Sequence, residues 1–138
     1  MPVVEFHLVE GDHDPTRIEL LLRRASERCA AILEVPIERV RACVTTHRPE
    51  HWMTGGVTAA VDGDAAPYFV AAILEGRTPE QRRRLLAELT DITCDVIGAT
   101  RSRVWGRIVE VPPEDWGIGG VPASRGRRPE IVARSSRL

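Results

Sequence analysis

Along the first nine residues, Val3-Val4-Glu5-Phe6-His7-Leu8-Val9 is rich in β-branched and apolar positions with partial polar alternation. That pattern predicts a strand with one face well buried, ended by Gly11. A helix is predicted over 15–33, with Asp14 as N-cap and Pro15 at its first position. Ile18, Leu21, Leu22, Ala25, Cys29 and Ile32 recur at three- and four-residue steps and make one apolar stripe. Pro36 closes the connection, 40–46 reads as a second strand, and Trp52-Met53-Thr54-Gly55-Gly56 reads as a turn or short hairpin. The same grammar follows again. Residues 67–76 form a strand, Thr78 caps a helix over 79–97, and a second strand lies near 103–111.

The chain is an internal duplication. Pro2, Glu10 and Gly11 match Pro67, Glu75 and Gly76 at a shift of 65. After one deletion the shift is 64: Pro15 matches Pro79, Arg39-Val40 matches Arg103-Val104, Trp52 matches Trp116, and Gly55-Gly56 matches Gly119-Gly120. Each copy is β-α-β, with a helix of roughly 28 Å at 1.5 Å per residue crossing between parallel strands. Side by side, the copies predict an α/β (α+β) fold: a four-stranded sheet with both helices on one face and a pseudo-twofold between halves. The expected organisation is a first repeat over 2–61, a linker over 62–66, a second repeat over 67–128 and a tail over 129–138. The strands carry apolar residues on both sides, so the helix-free face predicts burial against other subunits.

Composition narrows the chemistry. All 19 basic residues are arginine and the chain has no lysine, which excludes Schiff-base lysines and a P-loop lysine. An amine that does chemistry here must be the one at the chain's own N-terminus. Arginine instead holds carboxylates bidentately. Cys29, Cys43 and Cys94 form no CxxC pair, and His7, His13, His47 and His51 show no ligand spacing, so no metal site and no disulfide framework are expected. A net charge of −1 gives no reason to expect nucleic acid, and no run of apolar residues approaches a membrane span. A cytoplasmic protein is the expectation.

Three stretches carry a family resemblance: Pro2 to Gly11, Ile73-Leu74-Glu75-Gly76-Arg77-Thr78-Pro79-Glu80-Gln81, and Trp116-Gly117-Ile118-Gly119-Gly120 with Ala123-Ser124. Together they resemble the tautomerase superfamily, in particular a fused, double-length form of 4-oxalocrotonate tautomerase. The likeness covers about 2–128. It implies a tautomerase fold, a homotrimer, no cofactor, a small carboxylate substrate and keto–enol tautomerisation. It also implies an N-terminal proline freed by removal of the initiator Met. Carried across, Pro2 is the base, Arg77 is the arginine after the first strand of the pair, Arg41 is the second-strand arginine, and Trp116 is the aromatic wall. Pro67 lies inside the chain, where its nitrogen is an amide, so only Pro2 can take a proton. Repeat 1 has Asp12 where repeat 2 has Arg77, which implies one composite site per chain.

Bland readings stand beside these. Arg77 also fits a solvated residue at a helix start, Trp116 fits core or interface packing, and Arg41, Arg103 and Arg107 fit strand-surface charges. Trp105 falls opposite Arg41, so the second copy lacks that arginine unless Arg107 substitutes. Arg82-Arg83-Arg84 reads as a solvated helix face, and the tail as an arm over a neighbour or a disordered end.

Other reactions of the superfamily ask for residues this chain replaces. The water-activating Glu of one dehalogenase type falls at Ile118, and the second arginine of another falls at Leu74, with its strand tyrosine at Arg107. Glu110 or Glu114 stands as a compensating carboxylate. A malonate semialdehyde decarboxylase-like lyase is suggested by His47-Arg48-Pro49 and Asp115-Trp116, although its working Asp falls at Arg39 and its first arginine at Glu75. Retention of Met1 would leave a non-catalytic trimer.

Overall fold

The computed structural model describes residues 1–11, 13–63 and 66–136, with Arg128 by its backbone only. Asp12, and with it the reading that it replaces Arg77 in repeat 1, lies outside the described residues. So do Asp64 and Ala65 of the expected linker.

Four strands form the main sheet: β1 (Val3–Val9), β2 (Arg41–His47), β5 (Tyr68–Leu74) and β6 (Trp105–Val111), in the order β2-β1-β5-β6. β1 pairs parallel with β2 and β5 pairs parallel with β6, each through its crossover helix. β1 and β5 meet antiparallel at the centre, with Val3 opposite Ala72 and His7 opposite Tyr68. The duplicated β-α-β architecture is the one the sequence predicts. Two strand starts differ. β2 begins at Arg41 and β6 at Trp105, because Ile37–Arg39 and Arg101–Arg103 close into single 3₁₀ turns first.

Helices α1 (Pro15–Leu33) and α3 (Pro79–Ile97) cover one face. Asp14 accepts a hydrogen bond from the Arg17 amide at 2.8 Å. Thr78 and Gln81 make a reciprocal capping box. The predicted stripe of α1 is the buried one: Leu21, Ala25, Cys29 and Ile32 lie against Val4, Phe6 and Leu8 of β1 and Phe69, Ala71 and Ile73 of β5 in one continuous core. α1 ends at Glu34 in the left-handed conformation, φ 52°, where the second copy has Gly98 at φ 76°. Gly106 is required by packing. A Cβ there would stand 2.1 Å from Cζ of the buried Phe69 ring.

The other face of the sheet is uncovered within one chain. The strand registers set its side chains in three rows: Arg41-Val3-Ala72-Val109, Cys43-Glu5-Val70-Arg107 and Thr45-His7-Tyr68-Trp105. Trp105 is 73% exposed.

The segment read as a turn or short hairpin is a hairpin, β3 (Met53–Thr54) with β4 (Val57–Thr58), followed by the short helix α2 (Ala59–Asp62). Its counterpart pairs β7 (Gly117–Ile118) with β8 (Val121–Pro122) and leads into α4 (Ala123–Gly126). Of the tail, read as an arm over a neighbour or a disordered end, the described residues are helical. Residues Arg128–Ser135 form helix α5, and Glu130 on it accepts from both terminal nitrogens of Arg39, at 2.9 and 3.4 Å. Among the described residues, no helix is long and apolar enough to cross a membrane.

Candidate active site

The antiparallel β1–β5 junction places the start of β1 beside the end of β5, and this is what brings Pro2 toward Arg77. Pro2 is fully buried, and its carbonyl accepts from the Arg41 amide at 3.0 Å. Met1, Pro2, Arg39, Arg41, Asp115 and Trp116 line one cavity of about 260 Å³. Arg41 reaches it from the edge of the open face. Trp116, half-buried, reaches it from just before the β7–β8 hairpin.

Arg77 comes from the turn between β5 and α3 and is 4% exposed. A cation just before a helix N-terminus is poorly placed for that helix. Its guanidinium is directed instead at the other helix: Nη1 donates to the Leu33 carbonyl at 2.6 Å, at the C-terminus of α1. Gln81 does the same for the Ile32 carbonyl at 2.9 Å. Both carbonyls lack partners within α1. Burial, then the charge of Arg134, pulls the Arg77 pKa down to about 10, and Glu34 works against that shift. Arg77 therefore stays cationic at neutral pH.

The chain's terminal amine sits in the field of this cluster. Burial, and after it Arg77, Arg127, Arg134 and Arg39 in that order, lowers the pKa of the Met1 amine to about 5. Each effect disfavours a second positive charge. Arg127 also approaches the Met1 sulfur, at 3.5 Å.

Not every expected residue converges. Leu74 is buried at the end of β5 and lines no cavity with Pro2. Arg107 stands in the middle row of the open face, away from the Pro2 cavity within the same chain. Arg39 lines the Pro2 cavity, and sequence reasoning did not assign it there. Its signal was present, since the arginine recurs as Arg103 in the second copy. Arg127 and Arg134 were missed for a different reason: no pattern in an arginine-rich tail says where that tail packs.

The other carboxylates of the region are separated from this site. Glu110 pairs with Arg82 at 3.0 Å, and Glu114 faces a different hollow, with Ser124 and Arg125. Asp115 alone of the singled-out carboxylates lines the Pro2 cavity.

The pseudo-twofold generates a second cavity of about 610 Å³ at Pro67, and its lining differs in kind. Trp105 replaces Arg41, Tyr68 replaces Val3, Met53 replaces Gly117, and Trp52 matches Trp116. Arg103, the counterpart of Arg39, is paired with Asp62 at 2.6 Å. Behind it His7 Nδ1 and His47 Nε2 lie 2.9 Å apart, and His7 stacks on Tyr68. The Pro67 nitrogen is an amide, and Trp52, Tyr68 and Trp105 make the lining largely aromatic. Among the described residues, no group of three or more His, Cys, Asp or Glu is placed to hold a metal ion.

A fused pair of β-α-β units, with a buried terminus among arginines, defines the double-length 4-oxalocrotonate tautomerase type of protein. The family model described as "Tautomerase enzyme" matches residues 70–125, within the second copy. A 2-hydroxymuconate tautomerase of a Pseudomonas species is 41% identical over 56 residues, which is 41% of this chain and 89% of the relative. Among solved structures, the native fused 4-OT is 35% identical with a TM-score of 0.83, covering 91% of this chain and 99% of the other. The wild-type F6 fused 4-OT, an asymmetric trimer, is 26% identical with a TM-score of 0.83 and the same coverage. The chain belongs to the tautomerase superfamily.

Proposed function

We propose that this chain is a cofactor-independent keto–enol tautomerase of small 2-hydroxydienoate or enol carboxylates, working in the cytoplasm as a homotrimer with Pro2 as its base. The observation that carries the reading is the burial of the chain terminus beside Pro2 among Arg77, Arg127, Arg134 and Arg39. Removal of Met1 exposes the secondary amine of Pro2, and the same burial and charges then act on it. They hold its pKa below the ordinary α-amine range of roughly 7.7–8.0, so that it is neutral at working pH.

The neutral amine takes the proton of the substrate's 2-hydroxyl as the C–O bond becomes a carbonyl. The cationic amine then returns the proton to carbon, leaving a 2-oxo acid and a neutral amine. Arg41 and Arg77 hold carboxylate, and Trp116 walls the pocket. A positioned base of this kind contributes about 10²–10⁴ in rate. The trimer reading is supported by the uncovered sheet face and by the trimeric fused relative. In such an assembly Arg107 would reach a site, if at all, from a neighbouring protomer.

A second reading rests on Asp115, a carboxylate lining the Pro2 cavity. It would suit a hydratase, dehalogenase or decarboxylase of the same superfamily, with Asp115 handling water or the substrate's carboxylate.

The test is ultraviolet-monitored ketonisation of 2-hydroxymuconate and phenylenolpyruvate, on protein whose mass is lower by roughly 131 Da, the residue mass of Met. Rapid turnover is expected. Absence of turnover with Pro2 free would overturn the tautomerase reading in favour of the Asp115 alternatives.

A further inference from the structure

Of the four arginines that act on the terminal amine, Arg39 is the one that lines the cavity of Met1 and Pro2, yet its effect on the amine is the smallest. Its charge is held elsewhere. Both terminal nitrogens of Arg39 donate to Glu130, at 2.9 and 3.4 Å. Glu130 lines an adjoining cavity of about 630 Å³, between the end of α1, the start of α3 and helix α5, whereas Arg39 lines both. Hydrogen bonding by Arg39, against the opposing pull of burial, holds the Glu130 carboxyl below the ordinary carboxylate range, so Glu130 is an anion at neutral pH. Both partners are part-exposed, and such pairs add little to stability.

The pseudo-twofold shows where this partner comes from. Arg103, the counterpart of Arg39, is held by Asp62 at the end of α2. At the shift of 64, Asp62 matches Gly126, the last residue of α4, which has no side chain to offer. The duplicated unit therefore supplies no acid for Arg39. Four residues on, past the repeat, α5 supplies Glu130 in its first turn. The two copies reach the same pairing from different positions, one beside a proline amide and the other beside the terminal amine.

We infer that Glu130 is a positioning residue: its grip on both terminal nitrogens holds the Arg39 guanidinium back from Pro2 and so sets the pH range over which the amine is neutral. The inference rests on the Pro2 reading for its catalytic consequence, but not for the pairing. The charged groups around the amine are Arg77 from the turn before α3, Arg127 and Arg134 from the C-terminal segment, and Arg41 and Asp115 in the cavity wall. Without Glu130, a guanidinium whose side chain already lines the cavity turns toward the amine. That further positive charge disfavours the protonated form, and the amine's pKa falls.

The test titrates Pro2 directly, by nitrogen NMR of the full chain without Met1 carrying isotope-labelled proline, beside the pH profile of kcat/KM. Glu130→Gln should lower the amine pKa by about 0.3–1 unit, the effect of a single charge acting through a partly aqueous path, and the limb of kcat/KM should move with it. Glu130→Asp keeps the charge and should recover most of the shift. Glu19→Gln removes the same charge from an ion pair with Arg23 on α1 and should leave the amine where it is. In an Arg39→Gln background, Glu130→Gln should move the amine less than half as far. A role confined to holding α5 would lower the urea midpoint of Glu130→Gln without moving the amine, and that result overturns the inference. So would an upward shift, or a shift of equal size with and without Arg39. If the NMR shift is seen but no variant turns over an enol, the tautomerase reading fails and the role of Glu130 stands. If wild type turns over and the amine does not move in Glu130→Gln, the tautomerase reading stands and this inference fails.

Discussion

Arg77 closes the C-terminal end of α1 from across the molecule, donating from Nη1 to the Leu33 carbonyl at 2.6 Å. One guanidinium thus ties the two repeats together, and its Nε is buried with no hydrogen-bond partner. Arg77→Ala removes both the tie and a positive charge near the chain terminus. The orphaned carbonyl should lower stability by about 1–3 kcal/mol in urea unfolding. Loss of a charged hydrogen-bond donor of roughly 1.5–3 kcal/mol should lower kcat/KM about 10- to 100-fold. An unchanged kcat/KM in a variant that still folds would remove Arg77 from the site.

Pro2→Ala should lower kcat by about two to four orders of magnitude, the contribution of a positioned base. Sedimentation should show the same oligomer, because the deleted ring atoms make no ladder hydrogen bond. Full activity in Pro2→Ala protein would end the assignment of the base.

The amine's depressed pKa fixes the sign of two pH dependences. Only the neutral amine accepts a proton, so kcat/KM should rise with pH through a limb lying below the ordinary α-amine range and level off above it. In chain that keeps Met1, the folded amine titrates at about 5, against an ordinary value of 8.0. Between those values the unfolded chain binds more protons than the folded one. Stability of that form should therefore increase from pH 5 to 8 from this group and stop changing above 8. Denaturation midpoints of processed and unprocessed chain across that window would show it.

Gly106→Ala places a methyl group 2.1 Å from the Phe69 ring, which is 1% exposed and has no open side to move into. Overpacking of this kind costs typically about 1–3 kcal/mol. Urea unfolding should read that loss, and kcat of the remaining folded protein should be nearly unchanged.

Much of the fold was legible because its determinants are local and stated twice. Asp14-Pro15 and Thr78-Pro79 are the helix starts that the sequence marks, and of the predicted stripe Leu21, Ala25, Cys29 and Ile32 are buried. Of the expected site, Pro2, Arg41 and Trp116 share one cavity, and Arg77 lies in the cluster beside it. Leu74 and Arg107 do not join it within the chain. Both were placed by matching positions of the family's pattern, which maps position onto position but does not say which cavity a side chain reaches.

Chain order by itself determined the duplication, the two crossovers, the loss of a usable amine at Pro67 and the restriction to arginine as the only strong cation. Periodicity, capping and covalent structure act through neighbours in sequence, and so they survive in a string of letters. Tertiary structure alone decided that β1 and β5 meet antiparallel, which sets Pro2 beside the end of β5. It also decided that Arg39 faces both cavities and that α5 folds back so that Arg134 meets Arg77. These are contacts between residues tens of positions apart, made by burial and charge in three dimensions, and no local pattern encodes them.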